Sequence, residues 1–411
     1  MAVKAQAPRL GTLALLALLL ALLPAAAGAA GPAGTKRALD RAMRDAGRGS
    51  GAYAVDLASG RTIYASRPDT RRAPASVEKL FTTSTALLAL GPEARLATDV
   101  LGAAPVDEDG VLAGDLYLRG GGDPTFGTQR ATALARLVVE QTGLQRVEGA
   151  LVGDETAFDT RRGPPSEGYV TSGYVGPLSA LPFNRGLTGV ASPYFQASPG
   201  LFATQAFARA LKAEGVELAD AATTGQTPAG AVPLAAAMSP TIAELVAMTN
   251  VPSDNYFAET LIKVLGARLG GGGTTRRGAR VVRATMRGIG VRTRPVDGSG
   301  LSRSNRTSPR QVVRLLRAMA ANPTLGPVLD ASLPVAGRSG TLTGRMRRTA
   351  AANACHAKTG SLDGVSALAG YCVTRGGDTR VAFAILMNRV NVWGARALQD
   401  RMAAALARYT P

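Results

Sequence analysis

Histidine is almost missing from this chain: His356 stands alone among 411 residues. A Ser-His-Asp triad would have to use it, yet it lies between Cys355 and Lys358 on a strand-like run and reads as an ordinary sheet residue. One histidine and two distant cysteines make no standard zinc set, so neither a metal nor any other cofactor is expected. Aromatic residues are scarce at 5%, and the lone tryptophan, Trp393, reads as a core residue. Acidic charge is also short, with 29 Asp and Glu against 47 Lys and Arg and a net charge of +18. Such a surplus favours anionic partners. Its arginines come in scattered pairs (Arg71-Arg72, Arg161-Arg162, Arg276-Arg277, Arg347-Arg348) with no basic run interleaved with aromatics, which speaks against nucleic acid. The glycine cluster at 270–273 lacks the Lys-Ser/Thr ending of a phosphate loop and reads as a flexible connection. Gly298-Ser299-Gly300 lacks the G-x-S-x-G of a nucleophile elbow, and Asp123 and Asp297 read as turn residues. No internal repeat is present.

What is there begins with the N-terminus. Lys4 and Arg9 precede an uncharged, leucine-rich stretch over 10–30 that ends in Pro24 and small residues. Residues 1–30 therefore read as a secretory signal peptide, and the mature chain as exported. The rival reading is an uncleaved anchor, because about 20 apolar residues span a bilayer; Pro24 and the small-residue tail favour cleavage. No cysteine lies near the cut to carry a lipid. In an exported protein Cys355 and Cys372 can be oxidised. Asp363-Gly364 between them signals a two-residue hairpin turn, and the two cysteines are equidistant from it. That register predicts a cross-strand disulfide, with two buried thiols as the alternative.

Helical patterns are expected over 35–48, 76–90, 204–214, 239–248, 256–269 and 395–409. Ser308-Pro309-Arg310-Gln311 opens a further helix with an N-cap, a first-turn proline and a capping-box glutamine. Strands are expected over 52–57 and 61–65, and again over 354–362, 366–373 and 379–387. Between them, the glycine- and proline-rich stretch from about 95 to 227 has only short β-like runs and one clear helix. The fold class is α+β, one sheet joining both termini. The domain reading is 31–95 and 236–411 as one domain, interrupted by a β-rich insert over 96–235.

Three short motifs carry chemistry. Ser76-Val77-Glu78-Lys79 puts a hydroxyl and an amine on one face of a helix start. A serine needs a base before it attacks, and a desolvated lysine can be that base. Ser253-Asp254-Asn255 falls between two helices; Ser253 suits a proton relay and Asn255 a bond to a peptide backbone, although an ordinary N-cap would look the same. Lys358-Thr359-Gly360-Ser361 lies on the first strand of the hairpin. Lysine and hydroxyls at a strand edge suit a terminal carboxylate, and Gly360 would let a ligand backbone approach along that edge. The N–H groups of Ser361 and Ser76 could form an oxyanion hole. Each motif is weak alone. Together, S-x-x-K, S-D-N and K-T-G form the signature of class A β-lactamases and penicillin-binding proteins.

The chain resembles the D-alanyl-D-alanine carboxypeptidase/endopeptidase family, the low-molecular-weight class C penicillin-binding proteins. Beyond the motifs the likeness includes Leu116-Tyr117-Leu118-Arg119-Gly120-Gly121-Gly122-Asp123-Pro124, Ser179-Ala180-Leu181, Asp297-Gly298-Ser299-Gly300-Leu301-Ser302 and Leu333-Pro334-Val335-Ala336-Gly337. The resemblance implies a penicillin-recognising serine transpeptidase/β-lactamase-like domain, an antiparallel sheet flanked by helices, with the insert between the first two motifs. It implies acylation of Ser76 by the penultimate D-alanine of peptidoglycan stem peptides, and by β-lactam antibiotics. It makes Lys79 the base, Ser253 and Asn255 the central motif, and Lys358 and Thr359 the holders of the carboxylate. A loose association with membrane or anionic cell wall would fit the charge. The span from Ser76 to Ser253 is shorter than two full inserted domains would need, and residues 167–174 correspond to the loop that selects the peptide side chain. The alternatives are a β-lactamase-type hydrolase, disfavoured by the long insert, and a non-catalytic wall-binding protein on the same fold.

Overall fold

The computed structural model describes residues 31–189, 192–377 and 379–411, so residues 1–30, read above as a signal peptide, lie outside the described residues. In chain order the first elements are α1 (Pro32–Asp45), β1 (Ser50–Asp56), β2 (Thr62–Ser66) and α2 (Lys79–Leu90). Next come β3 (Ala97–Gly102), β4 (Val111–Leu112), β5 (Leu116–Gly120), α3 (Thr128–Thr142), β6 (Arg146–Val147), β7 (Leu151–Asp154), α4 (Pro199–Ala213), β8 (Glu217–Leu218), β9 (Thr223–Thr224) and β10 (Val232–Met238). The chain then runs through α5 (Ile242–Asn250), α6 (Asn255–Leu269), α7 (Thr275–Gly288), α8 (Pro309–Ala320) and α9 (Leu325–Ala331). It ends with β11 (Cys355–Leu362), β12 (Val365–Val373), β13 (Arg380–Asn388) and α10 (Val392–Ala407).

Strands from both ends of the chain form one antiparallel sheet, in the order β11-β12-β13-β1-β2. Side chains alternate across a strand, so a sheet buried on both faces feeds two cores. Tyr53, Val55, Ala369, Tyr371, Ala384 and Leu386 face α2, α5, α6 and α8. Ala54, Leu368, Cys372, Phe383, Ile385 and Met387 face α1 and α10. Cys355 pairs with Cys372 in the ladder, and the two form a disulfide. The equidistance from Asp363-Gly364 was therefore the correct register.

A second, five-stranded sheet has the order β10-β3-β5-β7-β9, and β4-β6-β8 make a small parallel sheet beside it. The core here packs Leu118, Phe126, Leu134, Val138 and Phe207 between the strands and helices α3 and α4. The expected single helix in this stretch is a correction: α3 is a full second helix. It begins after Gly127 with no side-chain cap, so the start signal that marks α5 and α8 is missing.

Four other expectations change. Helix α7 was missed because its buried face is only Thr275, Gly278, Ala279, Val282 and Met286 among many arginines. The glycines at 270–273 make a hydrogen-bonded turn between α6 and α7, Gly270 N and Gly272 N both donating to Gly266 O, and at Gly278 a Cβ would overlap the carbonyl of Ile262, so the two helices need glycine there to touch. At α8, Ser308 accepts from the Gln311 N–H, but the Gln311 side chain accepts from Arg292 N at 2.6 Å, so the capping box is half made. Trp393, expected in the core, is 76% exposed on the first turn of α10. His356 is the sheet residue expected, 3.3 Å from Asp330.

Candidate active site

The nucleophile sits where β11 meets the start of α2. Rather than running as one helix from 76, the chain makes a 3-10 turn over Ala75–Glu78 before α2 begins at Lys79. Ala75 has φ +47, a left-handed conformation costing about 1–3 kcal/mol in a non-glycine residue. Gly360 of β11 lies directly against this turn. A Cβ there would sit 2.8 Å from Pro74 O and 2.9 Å from Ser76 N. The first need for Gly360 is thus internal, letting the strand pass the nucleophile's own turn, rather than the ligand approach expected above.

Lys79 is fully buried with its amine 2.9 Å from Ser76 Oγ, 2.7 Å from Asn255 Oδ1 and 2.7 Å from the Ser299 carbonyl. Neither the amide oxygen nor the carbonyl can donate, so both must accept from lysine. A neutral amine uses its two N–H bonds there and turns its lone pair to Ser76 Oγ–H. Burial favours that neutral form: it pushes Lys79 down to about 8, against the pull of Glu259, Asp297 and Asp254.

The second motif is a turn between α5 and α6. The cap reading is right for one residue only: Asp254 caps α6 by accepting from Phe257 N at 3.0 Å. That leaves Ser253 and Asn255 free for the cleft. Ser253 also has a left-handed backbone, φ +65, and its Oγ accepts from Lys358 at 2.7 Å. Asn255 spans Lys79 on one side and, through Nδ2, the Tyr174 carbonyl at 3.3 Å. Arg185 reaches Asp254 at 2.5 Å from the same long connection as Tyr174.

β11 is the edge of its sheet, so residues from both its faces border one cleft. The cleft holds about 490 Å³ and is lined by Ser76, Ser253, Thr341, Gly344, Arg345, Thr359, Gly360, Ser361 and Arg396. Thr359 Oγ1 meets Thr341 Oγ1 at 2.7 Å, and Ser361 Oγ accepts from Arg396 at 3.0 Å. Lys358 is fully buried behind this wall, its amine on Ser253 Oγ and on the Thr359 carbonyl. Burial, and then Lys79, hold its amine well below the usual lysine range. Comparable hollows between α1 and α10 contain none of the motif residues.

All eight cleft residues expected from the motifs converge, and the structure adds three that the motifs did not single out. Glu78, Glu259 and Asp297 are fully buried; Glu259 and Asp297 act on Lys79, and Glu78 stands near both of them. Burial raises all three carboxyls, Glu259 to about 8, and Asp297 adds to the effect on Glu78 and Glu259. Glu259 accepts from Gly298 N and Ser299 N at 3.1 and 2.8 Å. It thereby aims the Ser299 carbonyl at Lys79. Asp297 is the turn residue expected, accepting from Gly300 N and Ser302 N, but it turns the very loop that faces the lysine. The available signal was a pair of charged residues, Glu259 and Lys263, inside a helix otherwise rich in apolar side chains.

A serine, two buried lysines and an amide gathered at the edge of an antiparallel sheet flanked by helices define a penicillin-recognising serine enzyme. Residues 35–194 and 194–409 match the model of the D-Ala-D-Ala carboxypeptidase 3 (S13) family, and the chain belongs to that family. It is 32% identical to a D-alanyl-D-alanine carboxypeptidase of an Actinomadura species, over 88% of this chain and 81% of that one. It is 33% identical to carboxypeptidase DacB of Mycolicibacterium smegmatis, over 81% and 75% of the two chains. In structure it is similar to penicillin binding protein 4 (dacB) of Haemophilus influenzae, with a TM-score of 0.77, 22% identity, and 90% and 98% of the chains covered. The same Haemophilus protein is also known complexed with a β-lactam. Among the described residues no helix is long and apolar enough to cross a membrane.

Proposed function

We propose that this chain is a serine D-alanyl-D-alanine carboxypeptidase/endopeptidase that forms an acyl-enzyme on Ser76 with peptidoglycan stem peptides and with penicillins. One observation carries the reading: two hydrogen-bonded sets, Ser76–Lys79–Asn255 and Lys358–Ser253, with bonds of 2.7–2.9 Å, bring three distant segments to one cleft. Neutral Lys79 takes the Ser76 Oγ proton as the oxygen attacks the carbonyl of the penultimate D-alanine. The developing oxyanion faces the N–H groups of Ser76 and Ser361. Ser253, fed by Lys358, passes a proton to the departing amine. Water then opens the ester, its proton restoring Lys358 while Lys79 returns its own to Ser76 Oγ. Thr359 and Ser361 contact the far end of the substrate, with Gly360 keeping the strand against the nucleophile.

Residues 96–235 act as an inserted β-rich domain within a catalytic domain made of 31–95 and 236–411. The connection over 167–174 selects the peptide side chain, supported by the Tyr174 carbonyl that touches Asn255. Export through residues 1–30 and loose attraction of the strongly basic mature chain to anionic wall or membrane complete the proposal. Incubation with a fluorescent penicillin tests it. The expected result is a covalent band that vanishes in Ser76→Ala, together with release of D-alanine from defined muropeptides seen by mass. An unlabelled wild type, or rapid turnover of benzylpenicillin in place of a lasting adduct, overturns it.

A further inference from the structure

The cleft wall opposite Ser76 contains a cation that the mechanism above does not use. Arg396 stands on the second turn of α10 and lines the cleft beside Ser361 and Thr359. Its neighbour Arg345 is fully engaged, 2.6 Å from Asp400 and 3.2 Å from Gln399. Lys358 is buried with its amine on Ser253. Arg396, by contrast, donates to Ser361 Oγ and has no ion pair with any described residue. Its guanidinium lies 4.9 Å from the ring centre of Trp393, and that stacking holds the planar fork in one orientation. Burial and then the nearby Arg345 disfavour its charge, and Asp400 only partly offsets them. A half-buried guanidinium with no ion pair of its own, beside an Asp400 already held by Arg345, is arranged for an anion that arrives with the ligand.

We infer that Arg396 is the receptor for the substrate's terminal carboxylate, reading it through its fork together with the Thr359 and Ser361 hydroxyls. A guanidinium matches a carboxylate with two parallel N–H···O bonds, which a buried amine cannot offer. Lys358 then serves Ser253 and does not meet the carboxylate directly. This rests on the cleft being a D,D-peptidase site. It explains the placing of the chain's single tryptophan on the surface: Trp393 is the support for Arg396.

The test compares benzylpenicillin with its methyl ester, which keeps the reactive ring and removes the anion. The rate of Ser76 acylation is followed by intact-protein mass. Arg396→Ala is expected to slow the acid roughly 10- to 100-fold, the worth of a charged hydrogen bond, while leaving the ester within about twofold. Arg396→Lys restores only part of the loss. The same contrast is expected between a peptide ending in D-Ala-D-Ala and its C-terminal amide. Equal losses with acid and ester, or no loss with either, overturn the proposal while leaving the peptidase reading intact. A wild type that forms no adduct with either compound overturns both.

Discussion

The sheet that carries the motifs and the sheet between the first two motifs are built differently. Every residue of β12 except Val373 is buried, and β1 is buried throughout. The other sheet has a buried middle in β5 and β7, but its edge β10 shows partly or fully exposed side chains along its whole length, and β4, β6, β8 and β9 are two-residue strands. Groups that move protons stand on, or are braced against, the doubly covered sheet. Among the described residues, the other region meets the motif residues by a carbonyl, Tyr174, and an exposed guanidinium, Arg185. Proton transfer demands fixed geometry and a dry setting, which only a sheet packed on both faces supplies. Touching the rim of a cleft demands neither.

Substitutions can break that contrast, and the largest effect belongs to Lys79. Lys79→Ala is expected to lower penicillin acylation about 10²- to 10⁴-fold, read by stopped-flow or mass. A loss within tenfold would remove Lys79 as base. The pH profile follows with its sign: protonated lysine has no lone pair, so below the pKa of about 8 the acylation rate falls about tenfold per unit. A flat rate between pH 6 and 8 would contradict a neutral Lys79. Gly360→Ala comes next. Its Cβ overlaps the turn of Ser76, so a stability loss of about 1–3 kcal/mol in denaturant melts should accompany slow acylation. The smallest effect is expected on the other side of the comparison. Arg185→Ala removes an ion pair whose arginine is 48% exposed, worth about 0.2–1 kcal/mol after solvent screening, hence a change of a few fold in kcat/KM. A loss as large as that of Lys79→Ala would mean the two regions are not separable.

Legibility followed the range of the interaction. The hairpin register, and with it Cys355–Cys372, could be read because a two-residue turn sets strand pairing locally. Helix α8 was announced by Ser308 and Pro309, whereas α3 follows Gly127, which offers no cap, and went unread. The motif residues were found because their spacing is chemical. Glu259 and Asp297 were not, since an acid in a helix or a turn says nothing of its distance from a lysine far along the chain.

The sequence by itself determined the inventory: a nucleophile with an amine one turn away, a capped turn carrying a hydroxyl and an amide, an edge strand with lysine and glycine, and a cysteine pair in register. These are short-range facts, written in local spacing and alternation. Only the tertiary structure decided what those groups face. It eased Lys79 towards its base form by burying it, turned Lys358 towards Ser253, and left Arg396 beside Trp393 at the open cleft. Desolvation and charge pairing depend on every neighbour in space, and no run of adjacent residues encodes them.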